Sequence, residues 1–130
     1  MSGKYNAARE AFGEGSLSWT RDRIVAQLVS AEYVFAESHT AARDLKGKVG
    51  EPVVLEGKSI KSGRARAAKL VFRQVTGSPV VAIVLHRAPL AGSSQAGTLI
   101  AYLNGVDKFP MVPNGGHIEV DVPEQGFFRL

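Results

Sequence analysis

The chain carries three histidines, His39, His86 and His117, and no cysteine. A transition-metal centre needs three or four imidazole, thiolate or carboxylate donors converging on one point. The three histidines fall one in each third of the chain, with no i, i+4 pair and no His-x-His, so only the fold would bring them together. The stretch offering most chemistry is PNGGHIEVDV at 113–122, where a glycine pair precedes His117, Glu119 and Asp121. Glycines beside an imidazole and two carboxylates would suit a phosphate cradle or a metal loop. The alternation argues for something plainer. Ile118, Val120 and Val122 share one face of a period-two strand and His117, Glu119 and Asp121 share the other, which is how a half-buried strand is written. His86 follows a continuous apolar run and is expected where that strand emerges into solvent. His39 belongs to a helical start.

Nucleophile chemistry has no better support. None of the serines stands in a Gly-x-Ser-x-Gly elbow, and no histidine has a local partner to activate a hydroxyl. Gly13, Gly15 and the NGG lack the strand-then-helix setting of a phosphate loop, and no Gly-Lys-Ser/Thr occurs. The expectation is a protein that is not an enzyme and takes no cofactor and no metal. Trp19, flanked by Leu17 and Ile24, reads as a core or interface anchor rather than a platform for sugars.

The elements that would position these residues are mostly strands. At 130 residues, 45% hydrophobic and 22% charged, the chain has the size and composition of one folded domain. Without cysteine its stability rests on packing or on partners. No apolar h-region opens it, and no run approaches the roughly 20 apolar residues of a membrane span. KYNAAREAF at 4–12 spaces Tyr5, Ala8 and Phe12 as one face of a short helix, with Ser2 as a cap and Gly13 as a stop. A helix this short is marginal alone, so its aromatic face must pack on the domain or on a neighbouring molecule. In the strand that follows, Ile24, Ala26 and Leu28 alternate with Val25, Gln27 and Val29, predicting cover on both faces. SHTAARDLKG at 38–47 reads as one or two helical turns, capped by Ser38 or Thr40 and ended by Gly47.

Five further runs are strands bounded by turn signals: EPVVLEGKSI, ARAAKLVFRQV, PVVAIVLHRA, GTLIAYLNG and GHIEVDV. Val80 to Leu85 is apolar throughout and is the expected central strand, and QGFFRL closes the chain as a last short one. Seven or eight strands with one leading helix and one short helical insertion predict a mainly β fold. Its expected form is a jelly-roll-like antiparallel β-sandwich over residues 16–130, with residues 1–15 as an N-terminal helical arm. VTGSPV and APLAGSSQAGT are expected to be exposed, adaptable connections.

The net charge of +4 is modest but unevenly spread. Between Glu56 and Asp107 no acidic residue occurs, while Lys58, Lys61, Arg64, Arg66, Lys69, Arg73 and Arg87 all lie there. A basic middle implies an acidic partner surface, or else charges that keep a sheet edge from pairing with strangers. Direct nucleic-acid binding is not expected, because Phe72 is the sole aromatic between Lys58 and Arg87.

In order along the chain, these features resemble a family of small head proteins of tailed bacteriophages that includes capsid cement, or decoration, proteins. The likeness lies in NAAREAFGEGSLSWTRDRIVAQLVSAEYVF, where a helix leads through Phe12, Gly15 and Trp19 into Asp22-x-Ile24 and then Leu28-Val29. It continues in SHTAARDL, in Gly57-Lys58 with its basic turn, and in LIAYLNG followed by PNGGHIEVDVPEQGFFRL. The chain departs from the family at KSGRARAAKL, basic where relatives often carry acidic residues. The resemblance implies a virion protein on the outer capsid surface, assembled in the bacterial cytoplasm, that bridges neighbouring major capsid proteins. It implies a homodimer, with a trimer as the alternative, and no membrane partner. On that reading Tyr5, Phe12 and Trp19 anchor the arm or the dimer, and Lys61, Arg64, Arg66 and Lys69 meet acidic capsid surface. Other virion positions, in head-to-tail completion or the tail, are the alternative within this class. A carbohydrate-binding jelly roll is the alternative outside it.

Overall fold

A computed structural model of the chain describes residues 3–41, 45–88, 97–105, 109–122 and 126–129. Its centre is built by the alternation in IVAQLV. Strand β2 (Ile24–Val29) is buried at all six positions. Ile24, Ala26 and Leu28 enter the larger core, and Val29 enters a second cluster on the opposite face. The polar member, Gln27, is buried too. Its side-chain amide is shared among the carbonyls of Leu28, Val49 and Gly50, each 3.1 Å away, at the register irregularity between β2 and β3 (Lys48–Val54). A buried amide satisfied in this way avoids the desolvation penalty of an unpaired one.

Strand β2 pairs antiparallel on its other side with β7 (Ala82–Arg87), and β7 pairs with β8 (Leu99–Leu103). The expected central strand is therefore central, two residues further along than its apolar run. The extension carries His86 into the sheet. His86 is 8% exposed, so its expected emergence into solvent is corrected: pairing with Val25 keeps it inside the ladder.

The N-terminal segment closes the far edge of this sheet. Strand β1 (Gly3–Lys4) pairs with β8, and helix α1 (Asn6–Glu14) follows directly. The helix starts later than the sequence spacing suggests because the residues before it are taken up as a strand. Its cap position is Tyr5, with Ser2 outside the described residues, and it runs past Gly13 to Glu14, where Gly15 caps it. Tyr5 is fully buried, its hydroxyl 2.6 Å from that of Tyr33, which in turn lies 2.8 Å from Nδ1 of His39. Residues 3–15 thus lie against the body, completing the sheet order β1-β8-β7-β2-β3.

Two smaller pairings face it. Strands β6 (Leu70–Phe72) and β9 (Ile118–Val120) form a ladder whose Leu70, Phe72, Ile118 and Val120 all enter the larger core. Strands β4 (Ser59–Lys61) and β5 (Arg64–Arg66) form a hairpin, joined at β5 by β10 (Phe128–Arg129). The run ARAAKLVFRQV is thus two strands, β5 and β6. The fold is mainly β and antiparallel, one broad sheet packed against narrower ones, as in a β-sandwich. The ladders are five, three and two strands wide. The helical turns expected over residues 38–47 fall partly on 42–44, outside the described residues; before them lie a turn at Glu37 and Ser38 and a bridge from Ala41 to Thr98. APLAGSSQAGT falls largely on 89–96, also outside them.

A basic hairpin as candidate partner site

Lys61-Ser62-Gly63-Arg64 is the tip of the β4–β5 hairpin. Ser62 and Gly63 both take positive φ, +54° and +74°, the backbone of the two-residue type I′ turn that matches the twist of paired strands. The register sets Ser59 opposite Arg66, Ile60 opposite Ala65 and Lys61 opposite Arg64. Because side chains alternate, Lys61, Arg64, Arg66 and Ser59 share one face, while Ile60 and Ala65 share the other. Ala65 is buried in the larger core.

The hairpin is tied down from behind. The indole N–H of Trp19 donates to the Arg66 carbonyl at 3.0 Å, and the Trp19 ring meets those of Phe127 and Phe128 edge-on at 6.0 and 5.4 Å. Phe127 donates its backbone N–H to the Ala65 carbonyl at 2.8 Å. Gly126 makes that approach feasible: its φ is +78°, and a Cβ there would stand 2.5 Å from the Ala65 oxygen. At the base, the Lys58 ammonium turns back to the Asp22 carbonyl, and burial lowers its pKa despite the neighbouring Asp22 charge.

The tertiary structure divides the basic residues into two groups. Lys69 lies 3.3 Å from Glu119 and 3.8 Å from Asp121, and Arg87 lies 3.7 Å from Asp22. Carboxylates distant in sequence thus neutralise part of the basic interval. Lys69 is spoken for within the chain, as the outer face of β9 folds over beside it. No carboxylate among the described residues pairs with Lys61 or Arg64, although these two cations sit directly opposite one another. Like charges opposed across a hairpin are unfavourable.

The aromatic candidates are placed differently. Tyr5 and Trp19 face inward, at 0% and 1% exposure, so what they anchor is their own domain. Phe12 is half-buried, packed against the larger core with its ring 6.5 Å from that of Phe128. Of the seven residues expected at a partner interface, the hairpin gathers Lys61, Arg64 and Arg66. Sequence reading missed Ile60, 46% exposed on the outer strand of the hairpin. Its signal was an apolar residue lodged between Lys58 and Lys61.

The histidines stay apart. His117 accepts the Gln74 backbone N–H at 3.3 Å, His39 belongs to the tyrosine chain, and His86 is in β7. Among the described residues no group of three metal-ligating side chains converges. No helix there is long and apolar enough to cross a membrane. No protein-family model matches the sequence, and no curated protein matches it.

Proposed function

We propose that this is a virion structural protein of a tailed bacteriophage, a cement protein that binds the outer capsid surface and bridges neighbouring major capsid proteins. The observation that carries the reading is the opposed pair Lys61 and Arg64, with no carboxylate partner among the described residues, on a hairpin tied down by Trp19 and the C-terminal strand. A folded chain that keeps a like-charge pair at some cost in stability is paired more favourably with acidic surface on another molecule. The resemblance in the N-terminal and C-terminal stretches supports a capsid as that molecule. Binding only the assembled arrangement of capsid subunits stabilises that arrangement by mass action. The hairpin supplies the charged contact, and the broad sheet supplies a stiff body to span between subunits.

The test is to co-express the chain with the major capsid protein of its phage and purify the particles. A cement protein appears in copies comparable to the capsid subunits and raises the temperature at which shells rupture. A head-completion or tail protein appears in the copies of a single ring and leaves shell rupture unchanged. Absence from particles altogether overturns the reading.

A further inference from the structure

The outer edge of β4 is an open backbone ladder. Strand order in the small sheet is β10-β5-β4, and among the described residues nothing pairs with β4 on its free side. In a hairpin with a two-residue turn, Lys61 and Arg64 exchange their backbone hydrogen bonds, so the next pair, Ile60 and Ala65, points its N–H and C=O groups away from each other. The Ala65 carbonyl does so, accepting from Phe127 across the opposite edge. By the same alternation Ile60 directs its N–H and C=O outward, beside a side chain left half in water.

We infer that the β4 edge accepts an extended acidic segment of the partner as an added antiparallel strand, with Ile60 supplying the backbone pairing and Lys61 and Arg64 the charge selection. This rests on the reading of the hairpin as the partner face. The two faces of β4 specify the incoming strand. Residues beside Ile60 should be apolar, and those beside Lys61, with Arg64 one strand further in on the same face, should be carboxylates, giving an alternating acidic and apolar pattern. Charge also excludes the obvious competitor. A second copy docking edge to edge would bring a second Lys61 and Arg64 against the first, so the cations that attract an acidic strand repel a copy of the chain.

The probe is a capped peptide alternating valine and glutamate, added to the full chain while amide hydrogen exchange is followed residue by residue. The expected result is saturable binding that slows exchange at the Ile60 amide. Affinity should fall at least about tenfold in Ile60→Pro, which removes the outward donor without touching the β4–β5 ladder, and as much in Lys61→Glu/Arg64→Glu. Replacing glutamate by lysine in the peptide should abolish binding. No binding to the unmodified chain overturns the inference, as does binding without protection at Ile60, a measurement that does not depend on any variant folding. Concentration-dependent protection of Ile60 in the protein alone overturns it in favour of self-pairing. Capsid shells separate this from the proposed function: shells released by Lys61→Glu/Arg64→Glu but retained by Ile60→Pro leave the charged contact standing and overturn strand addition alone.

Discussion

The indole N–H of Trp19 donates to the backbone carbonyl of Arg66 at 3.0 Å, joining residues 47 apart in sequence. That bond fixes the basic hairpin to the loop leading into β2, and Phe127 and Phe128 pack around the same ring. Trp19→Phe should cost about 1 kcal/mol through loss of the donor, and Trp19→Ala about 3–5 kcal/mol through the cavity left behind. Urea denaturation measures both. The alanine variant should also lose hydrogen-exchange protection in β5 and β10 before the broad sheet loses any.

Charge at the hairpin tip should trade stability against binding. Lys61→Glu turns a repulsive cross-strand pair with Arg64 into an attractive one, so the domain should gain roughly 0.2–1 kcal/mol by denaturation. The same change should weaken binding to capsid shells, and the unmodified chain's binding should fall as salt is raised. Lys69→Gln is the contrast: with Glu119 and Asp121 already beside the ammonium, shell binding should stay within about twofold of the unmodified chain.

His86 makes stability depend on pH. Burial lowers its pKa from the ordinary 6.5, the neighbouring Lys48 charge adds to this, and a bond to the Arg87 carbonyl partly opposes it. The unfolded chain therefore takes up the proton before the folded one does. Stability is complete above the unfolded value and is lost as pH falls from there toward the lower folded value. Melting temperature measured between pH 8 and pH 5 should drop on the acidic side, and His86→Gln should flatten that part of the drop.

Deleting residues 1–15 should destabilise the domain rather than merely release an arm. Tyr5 and Ala8 are fully buried, and β1 covers the outer edge of β8. The truncated chain should show a lower denaturation midpoint and faster exchange in β8. An unchanged midpoint would mean that the segment's packing contributes nothing to the body.

Gly126→Ala tests the C-terminal closure. With φ at +78° and the Ala65 oxygen 2.5 Å from the added methyl, β10 should be unseated. Exchange at Phe127 should speed up while β7 stays protected.

Much of the fold was legible because alternation is a local property. The two-sided burial of β2, the apolar face of β9 with Ile118 and Val120, and the turn at Ser62 and Gly63 all follow from spacing within a few residues. The errors came where partners distant in sequence decided the outcome. His86 was expected at a strand end because the apolar run stops at Leu85, yet pairing with β2 carries the strand on through Arg87. The helix was expected to begin at residue 4, yet β8 captures Gly3 and Lys4 as a strand.

The candidate site divides along the same line. The basic interval from Lys58 to Arg87, with no carboxylate among its residues, was set by the sequence alone. Which of those cations keep their charge unanswered was a tertiary matter, since Glu119, Asp121 and Asp22 reach Lys69 and Arg87 only after the chain has folded. Spacing identifies a face, but it does not identify the neighbour across from it. Lys61 and Arg64 stand out because the hairpin sets them opposite one another, and the fold brings no counter-charge from elsewhere among the described residues.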